Sequence, residues 1–380
     1  MRYRSRLHRS DLTDAEIGWP GPLVRGSCRA NRALAKSDMP TSITRQISPD
    51  RLMQFTFAFA PPLMIETAIR HGIFDILDKG AKTPEELCSE TGTLPRGLRV
   101  VLNALVGLDL LSKDKLGFYA LTHESARFLV SGKPTFHGAF FLLTSEPMLS
   151  QWVKLHEIVR SGQPARHINR EQDGVAFFLR FVEDIFPIHY PAAEQLGRSL
   201  GVANATAPLS VLDLAAGSGV WSIALAQQSP HVCVTAVDWP GVIPVTRKVA
   251  VRHGLAERFD FVEGDLLETD FGHGHAIATA GHILHSEGEQ RSRVLLKKAF
   301  DSLVPGGTIA IAEILVDTDR KAALPALIFA VNMLVNSDHG DTFSFEEIRT
   351  WLHDAGFHQV RTIEAPGLAP LLILATKPGH

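Results

Sequence analysis

The chain has 380 residues, a formal net charge of −3 and 45% hydrophobic residues. That length predicts two domains with ample core, and the near-neutral charge supplies no basic footprint, which disfavours nucleic acid as the main partner. The three cysteines, Cys28, Cys88 and Cys233, are scattered without metal-ligand spacing and read as reduced cytosolic thiols rather than a disulfide framework.

Residues 1–38 are rich in Arg, Ser, Gly and Pro and show no periodicity. They predict a disordered tail, with Met39 as an alternative start, and they lack the apolar centre of a secretory signal. The longest apolar run, Phe55 to Ile65, is interrupted by Pro61-Pro62 and is too short to span a bilayer, so no membrane partner is expected.

Residues 39–133 predict a small, mainly helical domain. One or two helices occupy 49–77, broken near the proline pair. Thr83-Pro84-Glu85-Glu86 reads as a helix N-cap with proline at the first position and acids in the first turn. A further helix over 95–111 carries Leu98, Val101, Leu102, Leu105 and Leu108 at helical spacing. A turn at 112–115 leads to a strand over 118–121. Helices followed by a small hairpin make a winged helix. Its 95–111 helix offers only Arg96 and Arg99 as cations around an apolar centre, so a protein-facing role is expected, not a DNA-reading one. Residues 134–205 predict a helical linker. Its many aromatics, Phe177, Phe178, Phe181 and Phe186 among them, supply core and part of a substrate pocket.

From 206 to 380 the pattern alternates strand and helix. Strands are predicted at 210–214, 232–237, 259–262, 276–281 and 308–314, with two further apolar runs at 359–363 and 368–375. Strand–helix units of this kind build a parallel sheet with helices on both faces, closed here by a terminal hairpin with an antiparallel edge strand. Ligands of such sheets bind at the C-terminal strand ends. Asp213 and the Gly217-Ser218-Gly219 turn follow the first strand, Asp238 and Trp239 the second, Asp265 and Leu266 the third, His282 and His285 the fourth, and Glu313 lies near the end of the fifth. All of them fall on one edge. A dinucleotide fingerprint needs a third glycine after the turn, and Ser222 stands in that place.

Asp213 with Gly217-Ser218-Gly219 instead resembles motif I of the class I S-adenosylmethionine (SAM) methyltransferases. Ala68 to Leu77, Thr83 to Leu87 and Tyr119 to Thr122 resemble the N-terminal dimerisation domain of the plant-type and bacterial small-molecule O-methyltransferases. Gly281-His282-Ile283-Leu284-His285 resembles the segment carrying that family's catalytic base. The resemblance implies an α/β, Rossmann-like class I methyltransferase domain with a mostly parallel seven-stranded sheet, preceded by a winged-helix dimerisation domain. It implies a cytoplasmic homodimer using SAM and a hydroxylated, aromatic or polyketide-like methyl acceptor. Asp213, Gly217, Gly219 and Trp239 would contact the cofactor, Asp238 its ribose, and Asp265 and Leu266 its adenine. His285 would be the base and Glu313 the acid that orients it. A phenolic oxygen is a poor nucleophile until its proton leaves, and an imidazole with a pKa near about 6.5 accepts it at neutral pH. Phe186, His189, His282, Met333 and Asn336 flank the expected acceptor opening.

Departures from the family pattern are Ser286 for an aspartate, Glu287 for an aromatic, Gly281 for a lysine and Thr342 for a second acid, with Asp341 adjacent. No metal is expected. His273 and His275 precede the fourth strand and lie at the opposite sheet edge from His285. A set of His285, His339 and a carboxylate (Asp338, Asp341 or Glu313) leaves open metal-assisted carbon methylation of an enolisable 2-oxo acid. A non-catalytic, SAM-binding winged-helix regulator is the other alternative.

Overall fold

The computed structural model describes residues 48–379. The tail expected over 1–38 lies outside them. In the N-terminal domain Pro61 and Pro62 occupy the first turn of the helix Ala60–Arg70. A proline there gives up an N–H that has no intrahelical partner anyway, so the pair starts this helix instead of breaking one. Short helices Ile73–Leu77 and Pro84–Thr91 follow, the latter closed by a reciprocal Thr83–Glu86 capping box. The next helix runs Pro95–Gly107, shorter than predicted. Asp109 takes a left-handed φ of 57°, the Leu110 N–H reaches back to the Leu105 carbonyl, and Leu111 is released for pairing. Strand β1 (Leu111–Lys113) then pairs antiparallel with β2 (Tyr119–Leu121). Leu87, Leu102 and Leu105 are completely buried in one cluster with Tyr119 of this hairpin.

By length and composition alone the helical run Asp50–Arg70 would suffice to cross a membrane, with a mean hydropathy of 1.3. The proline-interrupted run in the sequence does not register this. Within it Glu66 is buried and holds Arg70, the Ser145 hydroxyl and the Ser145 N–H, which fixes the C-terminal part of the run in the domain.

The connecting region is helical over Glu171–Asp184 and Phe186–Ser199. Residues 162–170, expected to be helical, form an irregular strap with a turn near its end instead. It is hydrogen-bonded along the end of helix Leu324–Asn336, with Ala165 N–H to the Val335 carbonyl at 2.8 Å and Ile168 N–H to the Asn336 carbonyl at 2.9 Å.

Seven strands form the main sheet: β3 (Leu209–Leu214), β4 (Val232–Asp238), β5 (Phe259–Glu263), β6 (His275–Gly281), β7 (Leu303–Ala312), β8 (His358–Glu364) and β9 (Leu371–Thr376), in the order β5-β4-β3-β6-β7-β9-β8. The first five are parallel. Two features differ from expectation. β9 is the antiparallel strand, but it lies between β7 and β8, so β8 is the edge. The link from β5 to β6 contains no helix, because residues 264–274 make turns only. β7 also starts well before the expected strand: a step of two positions along β6 (His275 to Ile277) matches a step of five along β7 (Leu303 to Thr308), a bulge that contains Pro305, Gly306 and Gly307. Successive β3 residues serve the two faces. Val211 packs with Leu196, Ile223 and Ala224, whereas Leu212 packs with Leu295, Leu296 and Leu352. Strand order reverses between β3 and β6, the crevice where open α/β sheets place ligands.

Candidate active site

The turn after β3 uses left-handed backbone at Ala215, Gly217 and Gly219, with φ of 53°, 55° and 72°. Glycine meets this at little cost. Asp213 is fully buried and accepts hydrogen bonds from the hydroxyls of Thr279, at 2.6 Å, and Ser222. Ser222, which breaks the dinucleotide pattern, is thus the partner of the strand-end acid. Asp213 braces β3 against β6 and the turn; its oxygens are not offered to the crevice. Burial pushes its pKa up to about 6, against the pull of these bonds. Asp238 accepts the Gly217 N–H at 2.8 Å and its neighbour Trp239's N–H at 2.7 Å, tying the turn to the end of β4. Burial raises its pKa to about 6 as well.

Asp265 and Trp239 line an open cavity of about 350 Å³ together with Asn169, Arg170, Glu171, Arg291, Asp338 and His339. Leu266 is 6% exposed and packs in the core behind it. Arg291 donates to both Asp265 oxygens, at 3.2 and 2.9 Å, and to the buried carboxylate of Glu287. The strap bounds the same cavity. Asp338 receives Arg170 through two N–H groups, at 2.7 and 2.8 Å, and lies 2.8 Å from His167 Nδ1.

At the end of β6, His282 adopts a left-handed φ of 60° while its N–H bonds the Ala312 carbonyl. This turn swings the chain into the helix Leu284–Ser302 and sets His285 beside Glu313, the residue after β7. Glu313 Oε2 lies 2.7 Å from His285 Nδ1. Its Oε1 accepts the Leu284 N–H at 2.8 Å and the His285 N–H at 3.2 Å. Burial opposes ionisation of Glu313, but the nearby His285 charge and these donors prevail and hold it below the usual carboxylate range. An ionised carboxylate only accepts, so the hydrogen between the two belongs to Nδ1, and in the neutral imidazole Nε2 is then the acceptor.

Three further rings surround this pair. His282 lies 6.2 Å from His285 between ring centroids, His189 lies 4.3 Å from His282, and Phe329 meets His285 edge-on at 4.9 Å. Burial keeps both neighbouring histidines neutral, His189 with a pKa lowered to about 4 and His282 well below its ordinary value. His282 Nε2 is buried with no hydrogen-bond partner among the described residues. Met333 is buried where it touches the turn at Gly340, and the Asn336 amide bonds Asn332. Phe186 is placed differently from the other acceptor candidates: it stacks on Tyr190 and on His253, at the end of helix Ile243–Arg252.

Ligand atoms of His282, His285 and Glu313 lie within 4.8 Å of one another. Both Glu313 oxygens already serve N–H groups. Asp338, a candidate ligand in the sequence, is committed to the strap, and His275 bonds Ser210 and the Phe271 carbonyl at the far edge of the sheet. The sequence reading missed Phe329, Arg291 and the strap. Phe329 sits in an apolar helix without periodic signal. An arginine after two glutamates reads as a solvated helix face.

A family model of the O-methyltransferase domain matches residues 200–358, and one of the O-methyltransferase dimerisation domain matches residues 53–131. The 3-hydroxy-5-methyl-1-naphthoate 3-O-methyltransferase of Streptomyces sahachiroi is 29% identical over 80% of this chain and 88% of its own length. The tetracenomycin polyketide synthesis 8-O-methyltransferase of Streptomyces glaucescens is 28% identical over 88% and 98%. Human N-acetylserotonin methyltransferase, solved in complex with SAM, superposes with a TM-score of 0.74 over 88% of this chain and 99% of its own, at 22% identity, a likeness of fold. The mostly parallel seven-stranded sheet and the helical N-terminal domain are together those of a class I methyltransferase. The chain belongs to the SAM-dependent O-methyltransferases and carries that family's dimerisation domain.

Proposed function

We propose that this O-methyltransferase alkylates a hydroxyl of an aromatic or polyketide-like metabolite, with His285 Nε2 as general base. The observation that carries the reading is the 2.7 Å pair of His285 Nδ1 with the buried Glu313. Glu313 fixes the tautomer, and its charge stabilises the imidazolium that forms. The acceptor O–H gives its proton to Nε2. The oxygen lone pair then attacks the sulfonium methyl in line, the S–CH₃ bond breaks, and S-adenosylhomocysteine leaves with the electron pair. Holding the two reactants in this alignment supplies much of the remaining rate.

Gly217, Gly219, Asp238, Trp239 and Asp265 form the cofactor side in this reading, with Asp213 and Leu266 supporting them from the core. His189, His282, Phe329, Met333 and Asn336 form the acceptor side. The acceptors named for the two Streptomyces relatives, a hydroxynaphthoate and a tetracenomycin polyketide, support a fused aromatic acceptor. The dimerisation domain supports a homodimer, and the free thiols of Cys88 and Cys233 suit a cytosolic enzyme. With 2-naphthol as probe acceptor, His285→Ala is expected to lower kcat by about two to four orders of magnitude and leave S-adenosylhomocysteine affinity unchanged. Turnover equal to the parent's would remove His285 from the base role.

A further inference from the structure

We infer that Arg291 reads the adenine edge of the cofactor together with Asp265, as a donor beside an acceptor. The inference rests on the proposed placement of the adenine at Asp265. Both side chains line the 350 Å³ cavity beside Trp239, at the C-terminal ends of β4 and β5. Both are also partly open to it, with side-chain exposures of 36% and 32%. Arg291 is not free to wander. Its Nε is held by Glu287, which is only 4% exposed, so the guanidinium is anchored from behind while Nη2 meets Asp265.

That arrangement has a chemical meaning. Adenine presents an N–H donor at its exocyclic amine and an acceptor at the adjacent ring nitrogen. An amide side chain matches such an edge with one acceptor and one donor. Here the same pattern is split between a carboxylate, which can only accept, and a guanidinium, which can only donate. Hypoxanthine inverts both positions: a carbonyl oxygen would face the carboxylate and a ring N–H would face the guanidinium. The pair should therefore reject an inosine-type cofactor on two counts, and the planar fork should matter as well as the charge. Trp239, on the same cavity wall, supplies an aromatic surface for the base.

Calorimetry with S-adenosylhomocysteine and S-inosylhomocysteine tests this. The parent protein is expected to favour the adenosyl compound by about 100-fold. Arg291→Lys keeps a cation for Glu287 but loses the fork, and should lower adenosyl affinity by about tenfold while leaving inosyl binding nearly unchanged. Because Arg291→Met alone would strand the buried Glu287, the double variant Arg291→Met/Glu287→Gln serves as the second test and should cut the preference further. Equal loss for both ligands in the variants, or no preference in the parent, would overturn the assignment of Arg291. Failure of the parent to bind S-adenosylhomocysteine at all would overturn the adenine placement with it.

Discussion

At the residue scale, the proposed mechanism turns on which hydrogen Glu313 holds. Its Oε1 serves two backbone N–H groups and its Oε2 serves His285 Nδ1. Glu313→Gln keeps a carbonyl oxygen for the backbone but turns an NH₂ toward Nδ1. The imidazole must then accept at Nδ1 and carry its proton at Nε2, the wrong tautomer for a base. Turnover is expected to fall by at least about a hundredfold with thermal stability little changed, a split that kinetics and a melting curve together measure. The strand–helix alternation put both residues on one sheet edge, and the resemblance to the O-methyltransferase family implied their pairing. The neutral His189–His282 contact was not legible as a contact. It depends on the left-handed turn at His282, a conformation that histidine tolerates better than most residues but adopts uncommonly, so the sequence does not announce it.

At the scale of elements, the strap over 162–170 is the least expected piece. It holds to helix Leu324–Asn336 by two backbone bonds and to the following turn by Asp338. Burial opposes the charge on Asp338, but Arg170 and His167 outweigh it and keep the carboxyl below its usual range. Asp338→Ala should therefore free the strap and open the backbone at Arg166 and Arg170 to cleavage. Limited trypsinolysis is expected to cut there at least about tenfold faster than in the parent, and peptide mapping locates the cut. Sequence reasoning gave this region to helix because its flanks are rich in apolar aromatics. The strap's order comes from partners about 170 residues away, as with His167 and Asp338, which a local pattern cannot encode. The same limit hid the placement of β9 inside the sheet: strand order is set by what pairs with β7, and apolar runs do not name their partners.

At the scale of the whole molecule, buried ionisable groups set opposing pH slopes. Asp213 and Asp238 have folded pKa values of about 6, above those of an unfolded carboxylate, so the fold binds their protons more tightly. Their contribution is most favourable below about pH 4, declines as pH rises to 6, and is flat beyond. His189 titrates at about 4, below an unfolded imidazole. Its contribution is intact above about pH 6.5 and declines as pH falls to 4. Asp213→Asn removes one side of this balance. Relative to the parent, the variant should gain up to ~3 kcal/mol between pH 4 and pH 7. Urea unfolding at several pH values reads that difference, and a pH-independent offset would contradict it. The bulge that opens β7 bears on the whole sheet in another way. Beyond Ile277 and Thr308 the pairing of β6 with β7 is regular up to Gly281 and Ala312, one residue short of His282 and Glu313. Slack in chain length is therefore taken up at the far end of the strand, and the end next to the His285–Glu313 pair is mechanically insulated from it. Residues added around Pro305 to Gly307 would lengthen a loop at that end of the sheet without moving His285 from Glu313.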